Sequence, residues 1–174
     1  MNPLNITLMP KFNILVALLA LVCAACQPKA EPLAPATSQT YFPVPIAGND
    51  LQVQLALKPA EQQKGLMYRD SLAPDHGMLF LFEQPDQRGF WMRNTGIPLD
   101  LAYFDASGTL LEVHKLFPYN ENPVRSTSRD VLIAVETNRG WFAANGLEPG
   151  ARIDMDALQT ALARRQHTNS ALQP

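Results

Sequence analysis

The chain has 174 residues with 14 basic and 16 acidic side chains, a formal net charge of −2 with histidine neutral. That length fits one domain with additions, and the charge balance excludes the strongly basic face that nucleic-acid binding demands, so no nucleic-acid partner is expected. Of all residues 47% are hydrophobic and 17% charged, with part of the apolar excess gathered at the N-terminus.

Lys11 precedes an apolar run over residues 12–22. A basic start and an apolar stretch too short for a comfortable membrane span read as a signal peptide over residues 1–25. Ala24-Ala25-Cys26 resembles a bacterial lipoprotein cleavage box, although Cys23 stands where Leu is commoner; Met1 and Met9 are both open as the start. Cys26 is therefore the expected acylation site, and Gln27 after it, rather than Asp, favours the outer membrane. The expected location is the periplasmic face of a bacterial membrane, the membrane being reached through the lipid. Cys23 and Cys26 are the only cysteines, so cleavage leaves no disulfide and no thiol chemistry in the domain. Residues 26–40 are rich in Pro, Ala and small polar groups and read as a tether.

The globular domain is expected over 41–156, with a helix and frayed tail over 157–174. Tyr41 to Ile46 reads as an edge strand because of Pro43 and Pro45. Leu51, Val53, Leu55 and Leu57 alternate with Gln52 and Gln54, a half-buried strand. Pro59 to Lys64 is a short helix closed by Gly65. Met78 to Phe82 is continuously apolar and reads as a strand covered on both faces. Phe90 to Met92 is a short strand, and Leu99 to Phe104 with Thr109 to Leu116 flank the turn Asp105-Ala106-Ser107-Gly108 as a hairpin. Phe117 to Ser128 is an irregular excursion, Val131 to Val135 a strand, Gly140 to Ala144 a turn or two of helix, Arg152 to Met155 a last strand. Asp156 is placed as the cap of a helix to Arg165. The fold class expected is α+β, with a mainly antiparallel, strongly curved or barrel-like sheet and a few short helices.

The segment Phe90-Trp91-Met92-Arg93-Asn94-Thr95 passes from large apolar side chains to a cation, an amide and a hydroxyl without a gap. Such a junction suits a packed strand that delivers polar groups to a rigid edge, or an ordinary turn in which Asn94 and Thr95 bond local backbone. Together with Gly65-Leu66-Met67, Gly77-Met78-Leu79-Phe80 and Ile97-Pro98-Leu99-Asp100 it resembles the domain-of-unknown-function 192 family, over about residues 51–153. The resemblance implies a fold and a place to look rather than a reaction. It also suggests Glu136 as a recurrent acidic position, and Ala151 departs from a commonly acidic one, so that this chain lacks that carboxylate or replaces it with Asp154.

Three chemistries compete. Asp100 and Glu136 with His114 offer acid–base hydrolysis, but no nucleophile elbow is present. Met67, Met78 and Met92 carry soft thioethers that serve equally as core filler; no metal or cofactor is assigned. Binding of a small polar or anionic ligand, a sugar or a carboxylate, suits aromatic surface beside Arg69, Arg93, Asn94, Thr95, Asp100 and Glu136. A non-catalytic envelope interaction domain is the remaining class. In the binding reading Trp91 and Met92 are buried, Arg69 and Arg93 converge with Asn94 and Thr95, and a carboxylate or an anion lies between the two arginines.

Overall fold

The computed structural model describes residues 35–165 and 170–172; the signal-peptide reading, Cys26 and most of the tether lie outside them. Six strands form one open sheet in the order β1-β2-β3-β8-β5-β6. They are β1 (Tyr41–Pro43), β2 (Gln52–Ala56), β3 (His76–Asp86), β5 (Leu99–Phe104), β6 (Leu110–Leu116) and β8 (Val131–Asn138). A separate two-stranded ribbon pairs β4 (Gly89–Phe90) with β7 (Val124–Arg125). The helices are α1 (Pro59–Lys64), α2 (Trp141–Ala144) and α3 (Met155–Arg164), followed by a 3₁₀ turn over Ser170–Leu172. The architecture is mixed α/β with a mainly antiparallel sheet. The barrel-like expectation is corrected: the sheet ends on β1 and β6 and does not close. One pair, β2 with β3, is parallel.

Both faces of the sheet are buried, which explains the unbroken apolar run in β3. Alternate residues serve different cores. Leu79 and Leu81 join Leu55, Ala102, Phe104 and Val135 on one face; Met78 and Phe80 join Leu99, Leu101, Tyr103 and Ala134 on the other. The first face is covered by α2 and α3. In α3, Leu158, Ala161 and Leu162 recur at helical spacing and are buried, so the C-terminal helix is part of the core. Its cap is Asp154, which accepts from the Ala157 amide at 2.9 Å, rather than Asp156. At its far end Arg165 donates to Leu55 O at 2.9 Å and pairs with Glu61 at 2.8 Å, tying α3 to α1.

The second face is covered by irregular chain. Leu66, Leu72, Met92 and Ile97 pack down on it. Tyr103, fully buried, sends its hydroxyl up to Val124 O at 2.9 Å and so fastens the β4–β7 ribbon. Phe90 therefore sits in the ribbon, and the expected strand to Met92 stops there. The stretch just before β1 is folded against the sheet as well: Gln39 O accepts from the Gln54 side chain at 2.9 Å. No helix among the described residues is long and apolar enough to cross a membrane.

Candidate functional site

Strand register lays one row of side chains across the second face. Tyr41 faces Gln54, Gln54 faces Met78, Met78 faces Glu136, Glu136 faces Leu101, and Leu101 faces His114. Directly paired residues point to the same side of a sheet, so Gln54 and Glu136 project into the loop-covered core. Both are buried, at 3% and 4% exposure. Gln54 reads from sequence as the solvent side of an alternating strand; only the loop above it makes it interior.

That loop is the connection from α1 to β3. Leu66 and Leu72 anchor its ends in the core, and Asn138 fastens it by donating to Leu72 O and Ala73 O, each at 3.0 Å. Between the anchors Arg69 turns inward. One guanidinium nitrogen donates to Tyr41 Oη at 3.1 Å and the other to Gln54 Oε1. An arginine carries five N–H donors, so most remain available. Among the described residues no carboxylate lies within ion-pair distance of Arg69.

Glu136 is the acidic group nearest in effect. Burial pushes its carboxyl up to about 8, against the lowering influence of Arg69, so at neutral pH it holds its proton and leaves the arginine's charge uncompensated. Its carboxyl finds no hydrogen-bond partner among the described residues. It lines a small cavity of about 30 Å³ together with Met67 and Thr95, room for about one water molecule. Above it opens a cleft of about 530 Å³ lined by Arg69, Lys64, Met67, Tyr68 and Met78 among others. That is within the size range of small-molecule sites.

The six residues expected at one site divide. Arg69 occupies the first cleft, and Thr95 and Glu136 the cavity beneath. Arg93 and Asn94 are exposed and line a neighbouring cleft with Tyr68 and Trp91. Arg69 and Arg93 thus do not converge; Tyr68 and Met67 stand between them, lining both clefts. Asp100 is elsewhere. It pairs with Thr137, one step out of phase with Glu136, and therefore faces the opposite core. There its carboxylate accepts from the Gly140 amide at 2.9 Å and caps α2; burial raises its pKa, the Gly140 and Phe142 amides and the Arg139 charge lowering it in part. Trp91 is 41% exposed, a second correction, whereas Met92 is buried at 1%. A shallow turn after the ribbon carries Met92 inward and its predecessor outward.

The hydrolytic arrangement is not assembled. Glu136 and His114 are separated by the whole width of Leu101, two strand spacings or roughly 10 Å. His114 instead bonds Glu112 at 2.8 Å, and Glu112 also receives the Thr127 amide at 2.7 Å, a local brace at the edge strand. Of the three methionines, Met78 and Met92 are buried in the second core. Among the described residues no three His, Cys, Asp or Glu side chains are grouped to hold a metal ion.

The central motif works mainly through backbone. Thr95 Oγ1 donates to Arg93 O at 3.1 Å, and Thr95 O accepts from the Tyr119 amide at 3.0 Å. A side chain on Gly96 would place its Cβ 2.5 Å from Tyr119 Oη, so the missing side chain leaves room for the tip of that ring beside the motif. Residues that sequence reasoning omitted from the site are Tyr41, Gln54 and Met78. Their only signal is register, which a single sequence does not print.

Comparison with other proteins agrees with this architecture. The chain matches DUF192, described as Uncharacterized ACR, over residues 43–155. Among curated proteins there is no match. A candidate transcription regulator from Sinorhizobium meliloti 1021 is 36% identical, with a TM-score of 0.63, over 68% of this chain and 96% of that one. A protein of unknown function from Novosphingobium aromaticivorans DSM 12444 is 33% identical, also at a TM-score of 0.63, over 75% of this chain and 94% of that one. The match over residues 43–155 and the shared fold lead to one assignment: the chain belongs to the DUF192 family.

Proposed function

We propose that this chain is an envelope lipoprotein, acylated at Cys26 and held at the periplasmic face of the outer membrane, whose domain binds a small anionic ligand of the carboxylate or acidic-sugar class in the Arg69 cleft. One observation carries the binding reading. Arg69 is fixed by two neutral acceptors, Tyr41 and Gln54, beside a carboxyl that burial keeps protonated to about pH 8. A pre-positioned guanidinium with spare donors and no anionic partner is suited to bidentate capture of a carboxylate. Its rigidity lowers the entropy lost on binding.

The test is a thermal-shift and calorimetric panel of small carboxylates and hexuronates. A ligand that binds the native state must raise stability, by about 2.7 kcal/mol at a hundred times its Kd. Arg69→Met should abolish the shift. Affinity should also fall as pH rises through about 8, because ionised Glu136 then offsets the arginine. A panel without any shift, or one unaffected by Arg69→Met, ends this reading. The anchor is tested separately: Cys26→Ala should release the chain from the membrane fraction, and retention with an uncleaved mass would show that the lipid is not what holds it.

A further inference from the structure

The Arg69 cleft is one end of a longer groove. A second cleft of about 380 Å³ shares Lys64, Met67 and Tyr68 with it, and a third of about 320 Å³ shares Gln63 and Trp91 with the second and reaches Arg88. Two aromatic side chains stand open in this groove, Tyr68 at 75% and Trp91 at 41% exposure. Rings exposed side by side in one groove and rimmed by polar groups are the pattern that marks an interaction site.

The rings are held in place. Tyr68 and Asn94 both adopt left-handed backbone, at φ +63° and +53°, a conformation costly for residues other than glycine and concentrated at binding sites. They lock each other: the Tyr68 amide donates to Asn94 O at 2.8 Å, and Asn94 Nδ2 donates to Tyr68 Oη at 2.8 Å. Arg93 lies over Trp91, its guanidinium carbon 5.6 Å from the ring centre. Arg88 is stacked on Phe82 at 4.1 Å, and its Nε is buried with no hydrogen-bond partner among the described residues. Cations therefore recur along the groove at Arg69, Lys64, Arg93 and Arg88. Of the acidic groups lining it, Glu61 is engaged by Arg165 and Asp70 lies at the Arg69 end; Glu136, in the cavity beneath, is protonated at neutral pH.

Flat apolar rings interleaved with planar donors and positive charges match one polymer chemistry well. The C–H faces of a sugar ring pack on the electron-rich face of an aromatic, while each carboxylate takes a guanidinium or ammonium. We infer that the groove binds an acidic oligosaccharide, one carboxylate at Arg69 and successive sugar rings on Tyr68 and Trp91. This rests on the proposed Arg69 site and extends it from a small anion to a chain of linked uronic acids.

The test uses the full chain, isotope-labelled, titrated with galacturonate, an α-1,4-linked tetragalacturonate, neutral chitotetraose and a hexaglutamate peptide. The tetragalacturonate should bind at least tenfold more tightly than the monomer and shift the Trp91 indole N–H resonance while leaving that of Trp141, which is buried and bonded to Asp75. Trp91→Ala should remove the tenfold advantage and leave the monomer's affinity unchanged. Monomer binding with no advantage for the tetramer overturns the groove and leaves the Arg69 cleft standing. Tetramer binding that survives Arg69→Met unseats the cleft and leaves the groove. Equal binding of hexaglutamate, or no saccharide binding at all, overturns the inference.

Discussion

The two faces of the sheet are made by the same strands and do different work. On the face under α3 the inward residues are aliphatic or aromatic apart from Asp100 and Thr137, and the cover is a helix whose backbone satisfies itself. On the other face the same strands present Gln54 and Glu136, and the cover is loop. Loop backbone needs outside partners, and side chains from the sheet supply them: Asn138 to Leu72 and Ala73, Tyr103 to Val124. Polar groups are thus already required beneath the loops. A cleft with an arginine and a buried carboxyl is an extension of that pattern. A one-residue change of phase separates the stabilising cap at Asp100 from the candidate site at Glu136, which is why neighbouring carboxylates on paired strands play unrelated parts.

Substitutions should separate the faces. Phe142→Ala, in the helix-covered core at 1% exposure, should cost about 3–5 kcal/mol in denaturant unfolding and leave ligand affinity per folded molecule unchanged. A loss of affinity would couple the two faces. Glu136→Gln should act next most strongly, and only at high pH. The carboxyl's native pKa lies above its unfolded value of 4.5, so its contribution to stability is complete below that value and is lost as pH rises through about 8. The variant should therefore be more stable than the parent at pH 9, by at most a few kcal/mol in denaturant unfolding, with the difference gone by pH 4. A parent whose stability does not fall across that interval would place Glu136 in contact with water.

Asp100→Ala should cost about 0.5–2 kcal/mol, the usual loss of a helix cap, at any pH where the carboxylate is charged. Its effect on ligand binding should be nil, and a binding defect would return Asp100 to the site. Smallest of all, Arg93→Ala should alter stability by no more than about 0.5 kcal/mol, since the side chain is exposed. A larger loss would make its stacking on Trp91 structural.

Much of this is legible in the sequence, in a graded way. Local signals reported themselves well: Pro59 and Gly65 bracket α1, Asp105 to Gly108 turns β5 into β6, and Asn145-Gly146 stops α2. Each depends on chemistry within a few residues. Burial was harder, because it depends on what arrives from elsewhere. Gln54 looks exposed until the 65–75 connection covers it, and Trp91 looks buried until the ribbon ends two residues before its apolar run does. The curvature of the sheet was the furthest from reach. Short strands and adjacent hairpins are compatible with a barrel, and it is α3 packed on one face and loops on the other that leave the sheet open. Arg69 and Glu136 were visible as residue types, but their placement on one side of the sheet, over Gln54 and Met78, needed the parallel register of β2 and β3.

That parallel pair has a consequence for how the protein can vary. Two strands running the same way cannot be joined by a tight turn; the chain must travel back the length of the sheet before it pairs again. Here the return journey is residues 57–75, which include α1, Tyr68 and Arg69. The segment that offers the arginine is therefore also the splice that makes the sheet buildable. Descendants of this sequence can exchange its side chains freely, and lengthen it at about 0.6 kcal/mol for each doubling of a flexible loop, but they cannot delete it. Ligand preference in such a lineage can drift by substitution and insertion while the position of the cleft stays where the topology put it.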